Sequence, residues 1–92
     1  MIADSSLFYR SLHALRDLSA EGSLQYRFKT AYQHWDPIHL SDLKPERRPQ
    51  FEAIKQRLNE ADALDRMNPD QLQKLITDFA ELCVSTVDDL CE

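Results

Sequence analysis

The chain has 92 residues, 42% of them hydrophobic and 29% charged, and its formal net charge is −5 at pH 7. This balance excludes a disordered chain, and no segment reaches the roughly 18 consecutive apolar residues of a transmembrane helix. Because the N-terminal residues also lack the pattern of a secretion signal, we expect a single helical domain over residues 1–92 in the cytoplasm.

The first predicted helix covers roughly Asp4 to Ala20. Few β-branched residues and a single glycine favour helix over sheet throughout the chain. At about 100° per residue, one side of this segment collects Leu7, Phe8, Leu12, Leu15 and Leu18. Gly22 suits the position after a helix, and Ser23 suits the N-cap of the next one.

The second predicted helix runs from Leu24 to about Trp35 and has the clearest apolar stripe in the chain. This stripe consists of Leu24, Phe28, Ala31, Tyr32 and Trp35, which follow the pattern of one buried helix face. The residue before a proline avoids the helical region, so Pro37 should end this helix at or just before Asp36. The apolar residues Ile38, Leu40 and Leu43 then predict a connection that crosses the end of the domain.

Two further helices complete the predicted fold. The third should begin near Arg48 or Pro49 and turn Phe51, Ile54, Leu58 and Ala61 inward. The fourth should begin at Pro69, with Asn68 as its N-cap, and run almost to the end of the chain. Its apolar arc comprises Leu72, Leu75, Ile76, Phe79, Leu82, Cys83, Val87 and Leu90.

The fold class predicted from these elements is all-α: a compact four-helix domain, packed as an up-and-down or an orthogonal bundle, with a long C-terminal helix. The order of its signals, from Gly22-Ser23-Leu24 through a proline-bounded corner to Arg48-Pro49-Gln50-Phe51, resembles that of small bacterial helical proteins. This resemblance carries no functional residue.

One short segment concentrates residues with catalytic or metal-binding chemistry. His34, Asp36 and His39 are ligand types that a divalent metal ion accepts. Pro37 separates the two histidines, whereas helical zinc sites place them four residues apart on one helix face. We therefore expect no metal and no cofactor, and keep a metal-binding protein or metal-dependent enzyme using these three residues as the alternative.

The chain offers little else for catalysis. Cys83 lies within the apolar arc, where a thiol is usually unreactive, and Cys91 lies at the edge of that arc. The two cysteines lie eight residues apart in one predicted helix, so about 12 Å of helical rise separates their Cα atoms. This distance is too long for a disulfide. Because the chain also lacks a glycine-rich phosphate loop and a nucleophile motif, we predict that it is not an enzyme.

Two surface features instead suggest a protein partner. Tyr9, His13 and Arg16 recur on the side of the first helix opposite its leucines, and Tyr26 lies opposite the stripe of its own helix. Tyrosine and arginine are enriched at protein interfaces, so these four residues are candidate partner-binding residues.

The C-terminal helix is the second such feature. Its apolar arc is wider than one neighbouring helix covers, so Leu82, Val87 and Leu90 could form the seam of a homodimer. Residues 67–92 also carry one basic and six acidic side chains. Acids at the end of a helix oppose its dipole unless cations offset them, and the candidate cations are Arg47, Arg48 and Arg57.

These observations favour a small, non-catalytic module for protein–protein interaction or regulation. A second alternative to it is a nucleic-acid-associated regulator that uses Arg47, Arg48, Lys55 and Arg57. The acidic balance of the chain makes nucleic acid an unfavourable partner, because phosphate binding needs clustered basic side chains.

Overall fold

The computed structural model describes residues 5–60 and 62–91, and within them the chain is helical and contains no strand. The helices are α1 Ser5–Leu18, α2 Leu24–Gln33, α3 Arg48–Arg57, α4 Ala63–Arg66 and α5 Pro69–Leu90, with a 3₁₀ turn at Leu40–Asp42 between α2 and α3. The predicted compact all-α domain with a long C-terminal helix is confirmed. The four-residue helix α4 was not predicted, and the expected inner position Ala61 lies outside the described residues.

The two strongest helix-start signals of the sequence act as predicted. Ser23 accepts a hydrogen bond on its hydroxyl from the backbone N–H of Tyr26, at 3.1 Å. Asn68 and Gln71 bond to each other's backbone N–H groups at 2.8 and 3.0 Å, which closes a capping box at the start of α5. These bonds satisfy donors that the first helical turn leaves without partners, and they fix where α2 and α5 begin.

The turn between α1 and α2 depends on Gly22. Its φ angle is +129°, a conformation that side chains with a Cβ rarely adopt. The ring of Tyr26 also packs closely over it, because a Cβ added at Gly22 would lie 3.0 Å from Tyr26 Cδ2. Two independent constraints thus favour glycine at this position.

We expect Gly22→Ala to lower the free energy of unfolding by about 1–3 kcal/mol, measured by urea denaturation. In a Tyr26→Ala background the steric part of this cost should disappear and the conformational part should remain. An alanine variant as stable as the parent protein would contradict the positive φ angle.

Aromatic rings from three helices form the centre of the core. Trp35, which follows α2, packs edge-on against Phe51 of α3 at 5.2 Å and against Phe79 of α5 at 5.5 Å between ring centroids. Phe28 meets the same Phe79 ring at 5.7 Å. Since Phe28, Ala31 and Trp35 are buried, the predicted inner face of α2 is confirmed for these residues.

The inner face of α1 differs from the predicted one. Leu7 and Leu18 are buried as expected, but the fully buried positions between them are Ser11 and Ala14, whereas Leu12 is 38% exposed. Small side chains at Ser11 and Ala14 let the backbone of α1 lie close to its neighbours. The small residues therefore occupy the centre of the buried face, where α1 lies close to its neighbours. Leu12 lies at the edge of that face.

α5 packs against α1, α2 and α3, and α1 also packs against α2. Leu7, near the start of α1, lies in one cleft with Thr86 and Leu90, near the end of α5, so these two helices run antiparallel. α2 covers the inward faces of both α1 and α5, and α3 covers that of α5. Within the described part of the chain, no helix combines the length and apolarity that crossing a membrane requires.

Candidate interaction surface

α2 and α3 contact the α1–α5 pair through charged residues at its flanks. On the side facing α2, Asp17 of α1 meets His34. On the side facing α3, Asp78 and Asp89 of α5 bind Arg57 and Arg47. At about 100° per residue, Leu12 lies on the side of α1 away from Asp17. Val84 lies on the side of α5 away from Asp78 and Asp89. These uncovered flanks face away from α2 and α3.

Apolar side chains occupy these flanks at helical spacing. We call this surface the α1–α5 face and define it by Phe8, Leu12 and Leu15 of α1 and Ile76, Ala80, Val84 and Val87 of α5. Leu12 is 38% and Val84 48% exposed, and the other five residues are half-buried. Polar and charged residues, including Arg16 and Asp88, border the face.

The predicted partner-binding residues divide into two locations. Tyr9, His13 and Arg16 are all exposed on the outside of α1, and Tyr9 packs edge-on against Phe8 of the α1–α5 face at 5.5 Å between ring centroids. Tyr26 is also exposed, but it lies over Gly22 in the α1–α2 turn, at the opposite end of α1 from Tyr9. The residues therefore do not form one surface, and Tyr9 and Arg16 belong to the border of the α1–α5 face.

His34 is directed away from the other two candidate metal ligands. Its Nε2 lies 2.6 Å from Oδ2 of Asp17, and its ring packs edge-on against His13 at 5.6 Å between centroids. Arg10 also donates a hydrogen bond to the backbone carbonyl of His34, at 3.1 Å. The His34 side chain thus holds the end of α2 against α1, a role that requires Asp17, 17 residues earlier in the chain.

Asp36 and His39 have separate local roles. The backbone N–H of His39 donates to the carboxylate of Asp42 at 2.8 Å, which starts the 3₁₀ turn. Asp36 lines an open cleft of about 300 Å³ together with Tyr32 and Leu64. Burial, followed by the charge of Asp36, raises the pKa of the Tyr32 phenol, so the phenol keeps its proton at neutral pH. Among residues 5–60 and 62–91, no group of three or more His, Cys, Asp or Glu side chains is arranged to hold a metal ion.

The candidate nucleic-acid-binding residues are engaged within the chain. Arg47 Nε lies 2.9 Å from Asp89 Oδ2, and Arg57 binds Asp78 at 2.7 Å. Arg48 donates to the backbone carbonyls of Leu40 and Leu43, both at 3.1 Å. In addition, the Lys55 ammonium lies 4.7 Å from the centre of the Phe51 ring. The three arginines hold α3 against α5 and the preceding turn, whereas Lys55 packs on its own helix. A nucleic-acid backbone would have to compete with those contacts.

The pair formed by Arg47 and Asp89 supplies the cation expected near the end of α5. The hydrogen bond from Arg47 lowers the pKa of the Asp89 carboxyl, and burial opposes that change. A carboxyl group whose pKa is lower in the folded protein stabilises it above the pKa of the unfolded chain, about 4. This stabilisation is lost as the pH falls through the lower, folded-state pKa.

We therefore expect Asp89→Asn to unfold more readily than the parent protein at neutral pH. The difference between the two proteins should shrink as the pH is lowered below about 4, where both side chains become neutral. Urea denaturation at several pH values measures this, and Glu52→Gln, at an exposed acid in the middle of α3, is the matched control. A pH-independent difference would show that the ion pair is not its cause.

The predicted dimer seam needs a correction at one residue. Leu82 is 0% exposed and lies in the core of its own chain, so it cannot contact a second subunit. Val87 and Leu90 are half-buried and retain some accessible surface. The apolar arc of α5 is wide because α1, α2 and α3 all pack against it, and Val84, which the arc omitted, is the most exposed apolar residue of this helix.

Both cysteines are free thiols. Cys83 is completely buried, and burial raises the pKa of its thiol far above the ordinary value, so it behaves as a small apolar side chain. Cys91 is exposed at the end of α5.

No model of a protein family, no curated protein and no solved structure matches this chain. The geometry of its own residues is therefore the basis for any functional conclusion.

Proposed function

We propose that this chain is a non-catalytic, cytoplasmic interaction module that binds a protein partner through the α1–α5 face. The observation that carries the proposal is the distribution of exposed apolar side chains. Of the four large hydrophobic residues that are exposed in the described part of the chain, Leu12 and Val84 lie on this face and Tyr9 on its border. Only Tyr26 lies elsewhere.

The composition of the face supports a protein as the partner. Protein interfaces typically have an apolar centre without charges and a polar border in which tyrosine and arginine are enriched. Here the centre is formed by aliphatic residues and Phe8, while Tyr9 and Arg16 lie at the border. A single exposed leucine on a surface needs no explanation, but Leu12 and Val84 expose apolar side chains on two helices that pack together, which favours a binding site.

The roles of the chemically active side chains also favour a non-catalytic function. His34 is bonded to Asp17 in the contact between α1 and α2, and the thiol of Cys83 is buried with a raised pKa. The open cleft beside Tyr32 contains no histidine or cysteine. His34 and Cys83 therefore serve packing.

Site-specific photocrosslinking in cells tests the proposal. A photoreactive phenylalanine analogue is introduced at Leu12 or at Val84, and at Glu52 as a matched control, because Glu52 is exposed on α3 away from the α1–α5 face. We expect discrete crosslinked protein species from positions 12 and 84 and none from position 52. Equal crosslinking at all three positions, or none at positions 12 and 84, would refute the proposed surface.

A further inference from the structure

We infer that the cleft between α2 and α4 is a binding site for a small organic cation, namely an amine that carries an apolar or aromatic body. The residues that define the α1–α5 face are not among those that line this cleft. The inference therefore goes beyond the proposed function and does not depend on it. It is carried by the apolar lining of the cleft and by one carboxylate at its rim.

One wall of the cleft is aromatic. It contains Phe28 and Tyr32 of α2, whose rings are stacked with 5.2 Å between their centroids and 18° between their planes. Tyr32 is half-buried, and because burial and then the charge of Asp36 raise the pKa of its phenol, the ring is uncharged at neutral pH. A neutral aromatic ring attracts a cation electrostatically and also packs against apolar groups.

The opposite wall is apolar and is held in place by a contact within the chain. It includes Leu58, Ala63 and Leu64, which are all half-buried. Gln25 of α2 donates a hydrogen bond from its side-chain Nε2 to the backbone carbonyl of Leu64, at 3.1 Å. This bond joins α4 to α2 and fixes the distance between the two walls. The volume of the cleft, about 300 Å³, lies at the lower end of the range for small-molecule sites.

The rim of the cleft contains one acid without a compensating cation. Its three charged residues are Lys29, Asp36 and Glu60. Glu60 pairs with Arg66 at 2.5 Å, whereas the Asp36 carboxylate forms no hydrogen bond or ion pair among the residues that the structure describes. Roughly 10 Å of rise separates the backbone of Lys29 from that of Asp36 along α2 and the turn after it. The Asp36 end of the cleft is therefore the end that attracts a cation.

These features favour a ligand with two parts. A protonated amine would accept the negative charge of Asp36 as its partner and donate a charge-assisted hydrogen bond to the carboxylate. The apolar body of the ligand would lie between Tyr32 and Leu64, where the removal of apolar surface from water stabilises the complex. A metal ion is a poor alternative, because one carboxylate without further ligands is too few for a stable site.

Titration of the isotope-labelled chain with three indole compounds, followed by NMR, tests the site. On the same ring, tryptamine carries an amine, tryptophol a neutral hydroxyl and indolepropionate a carboxylate. We expect tryptamine to shift the backbone amide signals of Lys29, Tyr32 and Leu64, with a dissociation constant of about a millimolar for so small a ligand. Tryptophol should bind about fivefold more weakly, and indolepropionate more weakly still.

The Asp36→Asn variant tests the role of the carboxylate. Asp36 is exposed, so the change leaves the core intact. The variant should bind tryptamine about fivefold more weakly, which is near the most that an exposed ion pair contributes, and should bind tryptophol like the parent chain. Glu52→Gln removes the same charge at an exposed position of α3 outside the cleft and should change neither affinity. Circular dichroism checks that each variant is folded.

Three results would overturn the inference. The first is the absence of saturable shifts with tryptamine at concentrations well above a millimolar. The second is equal affinity for all three compounds, which would indicate an apolar surface without selection for charge. The third is an Asp36→Asn variant that binds tryptamine as tightly as the parent chain does. Photocrosslinking from Leu12 and Val84 tests the α1–α5 face separately, so none of these results bears on the proposed function.

Discussion

Replacing Trp35 with alanine should lower the free energy of unfolding by about 3–5 kcal/mol, the largest single effect expected in this chain. Trp35 is 1% exposed and connects α2 to both α3 and α5 through its contacts with Phe51 and Phe79. Its indole N–H has no hydrogen-bond partner among the described residues, so the loss is one of packing. Since small domains have about 5–15 kcal/mol of stability, the variant should unfold well below the parent temperature.

Tyr26→Ala is the matched control for this measurement. It removes an aromatic ring near the other end of α2, but that ring is 61% exposed, so the change should stay within about 0.5 kcal/mol. Thermal and urea unfolding followed by circular dichroism compare the two. A Trp35 variant that melts with the Tyr26 variant would mean that the ring cluster is not the centre of the core.

The second large effect expected is a contrast between two neighbouring positions of α5. Leu82→Ala should cost about 2–5 kcal/mol, because Leu82 is completely buried and its removal leaves a cavity. Val84→Ala should change the stability by less than about 0.5 kcal/mol, because Val84 is 48% exposed and alanine has the higher helix propensity.

Urea denaturation at low chain concentration separates this contrast from any effect of association. Leu82 would belong to a subunit interface if Leu82→Ala left the free energy of unfolding of the monomer nearly unchanged and abolished dimerisation. The position of Leu82 in the apolar arc is compatible with that outcome. If Val84→Ala were the more destabilising variant, the orientation assigned to α5 would be wrong.

Local signals in the sequence were sufficient to place the starts of α2, α3 and α5 and most of one helix face. Each helix start is set by residues within one helical turn of it, so no knowledge of the packing was needed. These residues are Ser23, Asn68 with Pro69, and the prolines near Arg48. The stripe of α2 was equally clear, because large apolar residues recur on one side only and the opposite side is polar.

The remaining features depend on residues far apart in the chain. Apolar residues surround more than half of α1, so periodicity alone could not decide that Ser11 and Ala14 lie inward and Leu12 at the flank. Likewise, His34 pairs with Asp17. These two residues come close together only because α2 packs on α1. For α5, the width of the apolar arc signalled several covering helices, but the sequence did not distinguish neighbours within the chain from a second subunit.

The sequence alone identifies only part of the α1–α5 face, because periodicity does not separate an exposed apolar residue from a buried one. Spacing identifies Tyr9 and Arg16 as surface residues. It also assigns Leu12 to the core and does not include Val84 in the apolar arc of α5. An exposed apolar residue next to a buried stripe gives no signal of its own in the sequence. It becomes visible when two such residues from α1 and α5 lie on the same side of the packed domain.

If a protein partner covers the α1–α5 face in the cell, hydroxyl-radical footprinting in the cell detects it most directly. Tyr9 and Tyr26 are a matched pair, with 58% and 61% exposure in the isolated chain, so they should be oxidised equally when the purified protein is dilute. In the cell we expect Tyr9 and Leu12 to be protected while Tyr26 is oxidised as before. Equal oxidation of Tyr9 and Tyr26 in the cell would contradict the claim.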